Sequence, residues 1–401
     1  MLPLENRCIV LGITGGIAAY KAADLTSRLK KLGADIRVIM TRSAAKFICP
    51  LTLQTLSQNP VAIDMFEEPK SWEVRHIALA QAADVFVIAP CTANVIGKIA
   101  GGIADDMLTT TVMATRAPVL LAPAMNTQMY ENPIVQENLS KLSRLGYQII
   151  APENGRLACG DMGTGKLANP ERIADAVLSA ALRPVGDLSG HSVLVTAGAT
   201  QEALDPVRFL TNHSSGKMGY AIANAAYLRG ADVTLIAAPN TQKAFEGIKI
   251  VNVISAQDMF DAVMENAENA DMIIKAAAVA DFRPAEYQDQ KIKKAGKDSI
   301  CLPLASNPDI LQALGDRFGG KKMIAGFCME TENLLENAQK KLKKKNADFI
   351  VANNLTNAGA GFGTDTNVVT ILSKDGKTEA LPCMSKDAVA NALLDRLIRA
   401  L

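Results

Sequence analysis

The residues best equipped for chemistry in this chain sit beside glycines and at the ends of apolar runs. Cys159 lies in Glu153-Asn-Gly155-Arg-Leu-Ala-Cys159-Gly160-Asp-Met-Gly163-Thr-Gly165-Lys166. Free cysteines are usually small buried hydrophobes. A thiol on a polar stretch so rich in glycine does not fit that pattern, and the composition predicts a mobile flap rather than a core element. Gly12-Ile-Thr14-Gly15-Gly16 follows a β-rich run. Glycines there let backbone N–H groups approach an anion at a helix start, which suits a phosphate monoester; a tight strand-to-helix turn without ligand is the plainer alternative. Two further apolar runs end in Ala89-Pro90-Cys-Thr92-Ala-Asn94 and Ala122-Pro-Ala-Met125-Asn126-Thr-Gln-Met129-Tyr130. His76, one of only 3 histidines, stands in Glu73-Val-Arg-His76-Ile; a lone histidine near a helix start serves structure or catalysis.

The later part of the chain carries charge where the earlier part carries thiol and amide. Thr196-Ala-Gly198-Ala-Thr200 follows a strand-like run and could seat a second phosphate. The polar loop Leu204–Gly219, with Arg208 and Lys217 inside it, suits an anionic substrate. Asp281, in Ala276-Ala277-Ala-Val-Ala-Asp281, could help hold Mg²⁺ with nucleotide phosphates. Lys291-Ile-Lys293-Lys294 and Lys340-Lys341-Leu-Lys343-Lys344-Lys345 are lysine clusters. The second reads as a solvated helix end interacting with its dipole, or as cations aimed at a triphosphate.

These groups need a scaffold that gathers strand ends. Cys8–Ile13, Asp35–Met40, Val85–Ala89 and Val119–Ala122 read as strands, with helical spacing over Ile17–Leu32. After Arg183-Pro-Val-Gly-Asp-Leu-Ser-Gly190, which has the residues of a linker, the alternation restarts. Strands are expected at Ser192–Thr196, Asp232–Ala237, Met272–Ala276, Met323–Gly326, Phe349–Ala352 and Val368–Leu372, and a helix over Tyr220–Leu228. The pattern predicts an α/β protein of two domains, 1–190 and 191–401, each a mainly parallel sheet flanked by helices. Open sheets of this kind bind ligands beyond the carboxyl ends of their strands, where the residues above fall.

The chain has 401 residues and a formal net charge of +1, nearly balanced in each half. That argues against a nucleic-acid partner. No apolar run reaches the length of a membrane helix, no signal-peptide pattern opens the chain, and the 7 cysteines follow no disulfide or zinc spacing. A cytoplasmic enzyme with reduced thiols is the expectation.

The set Gly-x-Thr-Gly-Gly, Pro-x-Thr-Ala-Asn and Pro-Ala-Met-Asn-x-x-Met resembles the flavin-dependent cysteine decarboxylases, the family of 4′-phosphopantothenoylcysteine and lantibiotic decarboxylases. It covers nearly all of residues 5–180, with Tyr130 where some relatives carry Trp. The resemblance implies a flavodoxin- or Rossmann-like domain that holds FMN through Thr14, Gly15, Gly16, Pro90, Thr92, Asn94 and Met125. It implies that His76 orients the substrate and that Asn126 holds its carboxylate. The implied reaction oxidises the substrate's cysteinyl thiol to a thioaldehyde, releases carbon dioxide, and reduces the resulting enethiol with a proton from Cys159. No external NAD(P)H is expected.

Residues 191–395 resemble phosphopantothenate–cysteine ligases, implying a Rossmann-like nucleotide-binding domain. The resemblance assigns Lys275, Ala276, Ala277, Asp281, Lys291, Asn307, Pro308, Asp309, Ile310, Leu311, Phe327, Lys341 and Lys345 to the nucleotide. It further implies that Lys291 helps form an acyl-nucleotide intermediate, that Asn212 serves its turnover, and that Asp281 touches Mg²⁺. A ligase fused behind a decarboxylase suggests the bacterial, CTP-using type. Phosphopantothenate would attack CTP, and cysteine's amine would then displace CMP, in a bifunctional enzyme of coenzyme A biosynthesis. The family builds its flavin site between subunits, and its trimers and dimers together imply a homo-oligomeric dodecamer. A peptide decarboxylase would explain only the first half. A nonenzymatic flavin-binding regulator is disfavoured by His76, Asn126 and Cys159, and a DNA-metabolism factor by the balanced charge.

Overall fold

Strands buried on both faces of a parallel sheet must be apolar throughout, and the unbroken run Cys8–Ile13 forms such a strand, β1, with only its first residue partly exposed. A computed structural model describes residues 2–66, 74–157, 160, 162–293, 301–330, 333–354 and 363–401. The chain divides into two units, Met1–Leu182 and Arg183–Leu401.

In the first unit β1 is followed by α1 (Lys21–Lys31), β2 (Asp35–Met40), α2 (Pro50–Ser57), α3 (Arg75–Ala82) and β3 (Val85–Cys91). Then come α4 (Ala93–Gly101), α5 (Met107–Ala114), β4 (Val119–Pro123), α6 (Thr127–Glu131), α7 (Pro133–Arg144) and β5 (Gln148–Ile149). A hairpin of β6 (Glu153–Arg156) and β7 (Met162–Lys166) precedes α8 (Pro170–Leu182). The five sheet strands run parallel in the order β2-β1-β3-β4-β5. The winding direction reverses between β1 and β3, which opens a crevice at their carboxyl ends. The helix expected over Ile17–Leu32 begins instead as a 3₁₀ turn, Ile17–Tyr20, where the Ala19 N–H reaches back three residues to Gly16.

The second unit opens with β8 (Ser192–Ala197), the hairpin β9 (Gln201–Ala203) and β10 (Phe209–Thr211), α9 (Lys217–Leu228), β11 (Asp232–Ala237), β12 (Lys249–Asn252) and α10 (Ala256–Ala267). It continues with β13 (Met272–Lys275), the pair β14 (Phe282–Pro284) and β15 (Leu304–Ser306), α11 (Ile310–Phe318), β16 (Met323–Glu330), α12 (Leu334–Lys344) and β17 (Phe349–Asn354). The last elements are β18 (Thr366–Asn367), β19 (Val369–Ser373), β20 (Thr378–Ala380), β21 (Met384–Ser385) and α13 (Lys386–Arg399). The main sheet has the order β12-β11-β8-β13-β16-β17-β19-β20. Its first six strands are parallel, β19 runs antiparallel to β17, and β20 antiparallel to β19. Here the winding reverses between β8 and β13. No helix among the described residues is long and apolar enough to cross a membrane.

Two expectations need correction. Arg183–Gly190 has a linker's composition, yet Leu188 is fully buried in the second unit's core and its N–H bonds the Arg229 carbonyl at 2.8 Å. The Arg229 guanidinium meanwhile grips Asp187 at 2.6 Å. Gly326 and Phe327 do not end a strand either; β16 runs on to Glu330, paired with β17 from Ala325 onward. A Cβ on Gly326 would stand 2.7 Å from the Leu311 side chain, so this glycine marks the close approach of α11 and not a stop.

Candidate functional site

In the first unit, β1 delivers Thr14, Gly15 and Gly16 to the crevice, and β3 delivers Pro90, Thr92 and Asn94. The two loops are tied together by the buried Thr14 hydroxyl. Its Oγ1 donates to the Pro90 carbonyl at 2.7 Å and accepts the Thr92 N–H at 3.1 Å. Thr14 and Pro90 are buried beneath the surface they shape. Gly15 leaves no space: a Cβ there would lie 2.4 Å from Ser43 Cβ. Gly16 is open, with Thr92 at 3.7 Å the nearest neighbour of such a Cβ. No side chain caps α4, so its first N–H groups stay available to a ligand.

Two clefts meet at Gly15, Thr92 and Met129. One, about 780 Å³, is walled by Ser43, Asn94, Lys98 and Asp106. Its cations are matched: Arg42 pairs Asp64 at 2.6 Å, and Lys98 pairs Asp105 at 2.7 Å. The other, about 700 Å³, is lined by Gly16, Tyr20, Lys21, Met125, Asn126 and Lys166, among others. Both volumes suit a cofactor or a small substrate. Burial, and next the nearby Lys166 charge, hold the Lys21 ammonium below its ordinary pKa. The β7 strand docks on the Met125 loop, where the Met125 N–H donates to the Gly165 carbonyl at 3.0 Å. Asn126 caps α6 through its Oδ1, which accepts the Gln128 N–H at 2.9 Å.

Gly15, Gly16, Thr92, Asn94, Met125 and Asn126 thus come together on the clefts, with Thr14 and Pro90 behind them. His76 sits half-buried in the first turn of α3 and is not among the residues lining either cleft. Cys159 lies outside the described residues. Ser43, Lys21 and Lys166 were missed in the sequence. Ser43 could have been found by applying the strand-end rule to β2 as well.

In the second unit the loops after β8 and β13 are stitched together in the same way. Thr196 Oγ1 accepts the Ala277 N–H at 3.1 Å, and Thr200 Oγ1 accepts the Ala280 N–H at 3.0 Å. Asn212 Nδ2 donates to the Ala278 carbonyl at 3.2 Å, and Asn307 Nδ2 to the Ala280 carbonyl at 2.8 Å. Lys275 ends β13 between these loops and α11–α12. Its pKa is pushed down to about 8, first by burial and then by the Lys341 charge. Asp309 and Asp281 oppose that shift, and Lys345 adds to it. Asp309 caps α11 through the Gln312 N–H and forms an ion pair with Lys345. Of the residues expected to meet a nucleotide, Asp281, Asp309, Lys341 and Lys345 stand near enough to Lys275 to act on its charge, Ile310 and Leu311 are buried in the core, and Ala276 packs against the α9–α13 layer. Phe327 packs with the α9–α13 layer, the opposite face of the sheet from Lys275's neighbours on α11 and α12. Lys291 is exposed on the segment after β14. Among the described residues no group of three His, Cys, Asp or Glu side chains could hold a metal. A lone Asp281 beside a polyphosphate fits Mg²⁺, which keeps water and substrate phosphates as most of its ligands.

Residues 2–182 match the family model described as Flavoprotein, and residues 188–401, just over half the chain, match that of the DNA/pantothenate metabolism flavoprotein C-terminal domain. Over 396 residues the chain is 48% identical to the coenzyme A biosynthesis bifunctional protein CoaBC of Bacillus subtilis (strain 168), covering 98% of this chain and 97% of that protein. The protein of the same name from Vibrio vulnificus (strain YJ016) is 44% identical over 398 residues, with 99% and 98% covered. A solved structure of the C-terminal domain of a CoaBC protein is 41% identical, covers 53% of this chain and 96% of its own, and superposes with a TM-score of 0.46.

Proposed function

The chain belongs to the family of coenzyme A biosynthesis bifunctional proteins, and from that premise we propose how its two sites divide the work. The enzyme joins a ligase unit to a flavoprotein decarboxylase unit. The second unit couples cysteine to 4′-phosphopantothenate with CTP, and the first converts the product, 4′-phosphopantothenoylcysteine, to 4′-phosphopantetheine. The observation that carries this reading is the contrast between the switch points. One is a glycine seat whose cleft beside Ser43 has matched charges, and the other holds Lys275, whose pKa is lowered first by burial and then by the Lys341 charge.

In the first unit Gly15, Gly16, Thr92 and Asn94 hold FMN, and the Thr14–Pro90 link keeps their amides aimed. FMN supplies the two-electron chemistry when bound. Met125 walls the substrate cleft and Asn126 holds the substrate carboxylate. Cys159 gives the final proton. His76 orients the substrate, and its place away from the clefts of its own chain supports a flavin site completed by a second subunit, within a dodecamer. In the second unit Lys275, Lys341 and Lys345 meet the CTP phosphates and stabilise charge as pyrophosphate leaves, and Asp281 would hold Mg²⁺, which would supply further neutralisation of the phosphates. Lys291 promotes acyl-nucleotide formation and Asn212 its aminolysis. A cytoplasmic location is part of this reading, since the 7 cysteines follow no disulfide spacing.

Purified protein given 4′-phosphopantothenate, cysteine, CTP and Mg²⁺ should yield 4′-phosphopantetheine and CMP, read by mass spectrometry, with ATP as the control nucleotide. Accumulation of 4′-phosphopantothenoylcysteine alone would leave the ligase reading and remove the decarboxylase one. Absence of both products, with turnover of supplied 4′-phosphopantothenoylcysteine, would do the reverse.

A further inference from the structure

The turn between β9 and β10 holds a buried carboxylate that nothing above has used. Asp205 is 3% exposed. Its Oδ1 accepts the N–H groups of Val207 and Arg208, each at 2.9 Å. Its Oδ2 accepts the Arg208 guanidinium, through Nε at 3.0 Å, and the Ile292 N–H at 3.1 Å. Arg208 Nη2 also donates to the Ile292 carbonyl at 2.8 Å. The ion pair therefore grips both backbone groups of one residue, 87 positions along the chain from Asp205. The Arg208 guanidinium first, then the backbone N–H groups, hold the Asp205 carboxyl far below the usual carboxylate range.

That residue is next to Lys291. The Ile292 N–H belongs to the peptide plane joining residues 291 and 292, which includes the Lys291 Cα, so holding that plane fixes the point where the Lys291 side chain leaves the backbone, and its direction then turns only on ψ of residue 291. From the end of β14 at Pro284 to residue 293 no helix or strand supports the backbone. One further tie, from the Gln288 N–H to the Leu204 carbonyl at 3.1 Å, comes from the same turn. Only the carboxylate is buried: the Arg208 side chain is 42% exposed, and a half-exposed ion pair adds little stability by itself. A pair of this kind whose spare hydrogen-bonding capacity goes to one loop residue is better explained by what that residue positions.

We propose that Asp205, working with Arg208, is a positioning residue for acyl-nucleotide formation. It clamps the backbone at Ile292 so that Lys291 is presented to the reacting phosphate and carboxylate. This rests on the reading of Lys291 given above. The clamp acts on rate and not on nucleotide affinity, which the separate Lys275–Lys341–Lys345 cluster supplies. A misaligned reacting group costs on the order of 10²-fold in rate.

The test uses the full chain. Pyrophosphate release from CTP and 4′-phosphopantothenate, without cysteine, is followed in a single turnover, alongside the CTP dissociation constant and thermal unfolding. Asp205→Asn should slow pyrophosphate release about 10- to 100-fold and change CTP affinity less than about threefold. Ile292→Pro removes the gripped N–H from the other side and should reproduce that split, which keeps the test available should Asp205→Asn fold poorly. In a Lys291→Gln background neither change should slow the reaction further. Normal pyrophosphate release by Lys291→Gln would sink the reading of Lys291, and this proposal with it, whatever Asp205 does. A slow Lys291→Gln enzyme beside wild-type rates in Asp205→Asn and Ile292→Pro would overturn the clamp alone. So would equal losses of rate and affinity, or losses that multiply in the double variants.

Discussion

The two units solve one geometric problem with opposite electrostatics. Each places a glycine-containing loop after its first strand at the point where the winding reverses, and each stitches that loop to the one across the crevice through a threonine hydroxyl. In the first unit the cations of the cleft beside Ser43 are already matched, Arg42 by Asp64 and Lys98 by Asp105, while Lys21 in the adjoining cleft is held below its ordinary pKa by burial and then by Lys166. In the second, burial first and the Lys341 charge next leave Lys275 holding its proton only weakly, while Lys345 is paired with Asp309. A flavin brings its own reactivity and asks mainly for a seat. A nucleotide triphosphate brings concentrated negative charge, and a site prepared for it is strained by its own positive charge until the ligand arrives.

The strongest challenge to this comparison asks whether the units are separable at all. The described core clusters keep to their own units, and Leu188 is fully buried in the second. Leu188→Ala should destabilise that unit by about 2–5 kcal/mol, the range for emptying a packed leucine site. In urea, pyrophosphate release should fail at a lower concentration while the transition seen by flavin fluorescence stays in place. Movement of both transitions together would show one cooperative body and dissolve the contrast.

A second substitution isolates the glycine seat. Gly15→Ala forces a methyl to within 2.4 Å of Ser43 Cβ and 3.0 Å of its backbone carbon, so one of the two loops must move. Overpacking of this kind costs about 1–3 kcal/mol. Flavin affinity should drop by roughly ten- to a hundredfold, measured by titrating the apoprotein, with CTP-dependent pyrophosphate release unchanged. Unchanged flavin affinity would mean that the cofactor does not depend on this turn.

How far the sequence revealed these sites follows from which forces act locally. Parallel strands were legible because both faces are buried: Asp232–Ala237 was expected and found residue for residue, and β1 and β2 likewise. The β14–β15 pair was not, since three-residue exposed strands carry no apolar periodicity. Gly326 misled because a glycine that admits a helix looks the same in sequence as one that ends a strand. Leu188 misled because one apolar residue among Pro, Gly and Asp does not announce a core. Thr14, Thr92 and Asn126 were readable as strand-end residues. The Asp205–Ile292 clamp was invisible because its partners are far apart in the chain and one of them is backbone. His76 was assigned by resemblance alone, and it is not among the residues lining the two clefts.

The smallest effect expected is also the most specific to the charge contrast. With a pKa near 8 against an ordinary 10.5, Lys275 is half-neutral just above physiological pH in the free enzyme. A depressed lysine is protonated in both folded and unfolded chains below pH 8, so the penalty of burying its charge is fully present there. Between pH 8 and 10.5 the unfolded chain binds the extra proton, and the folded state gains stability as pH rises. Nucleotide phosphates reverse the bias by favouring the ammonium. Binding of CTP should therefore take up a proton above pH 8, and its affinity should fall by up to about tenfold per pH unit, the slope for one proton. Calorimetry at pH 8.5–9 in buffers of different ionisation enthalpy reads the uptake directly. Lys275→Gln should abolish it. Proton uptake that persists in Lys275→Gln would place the titrating group elsewhere and leave the crowded lysines without their assigned role.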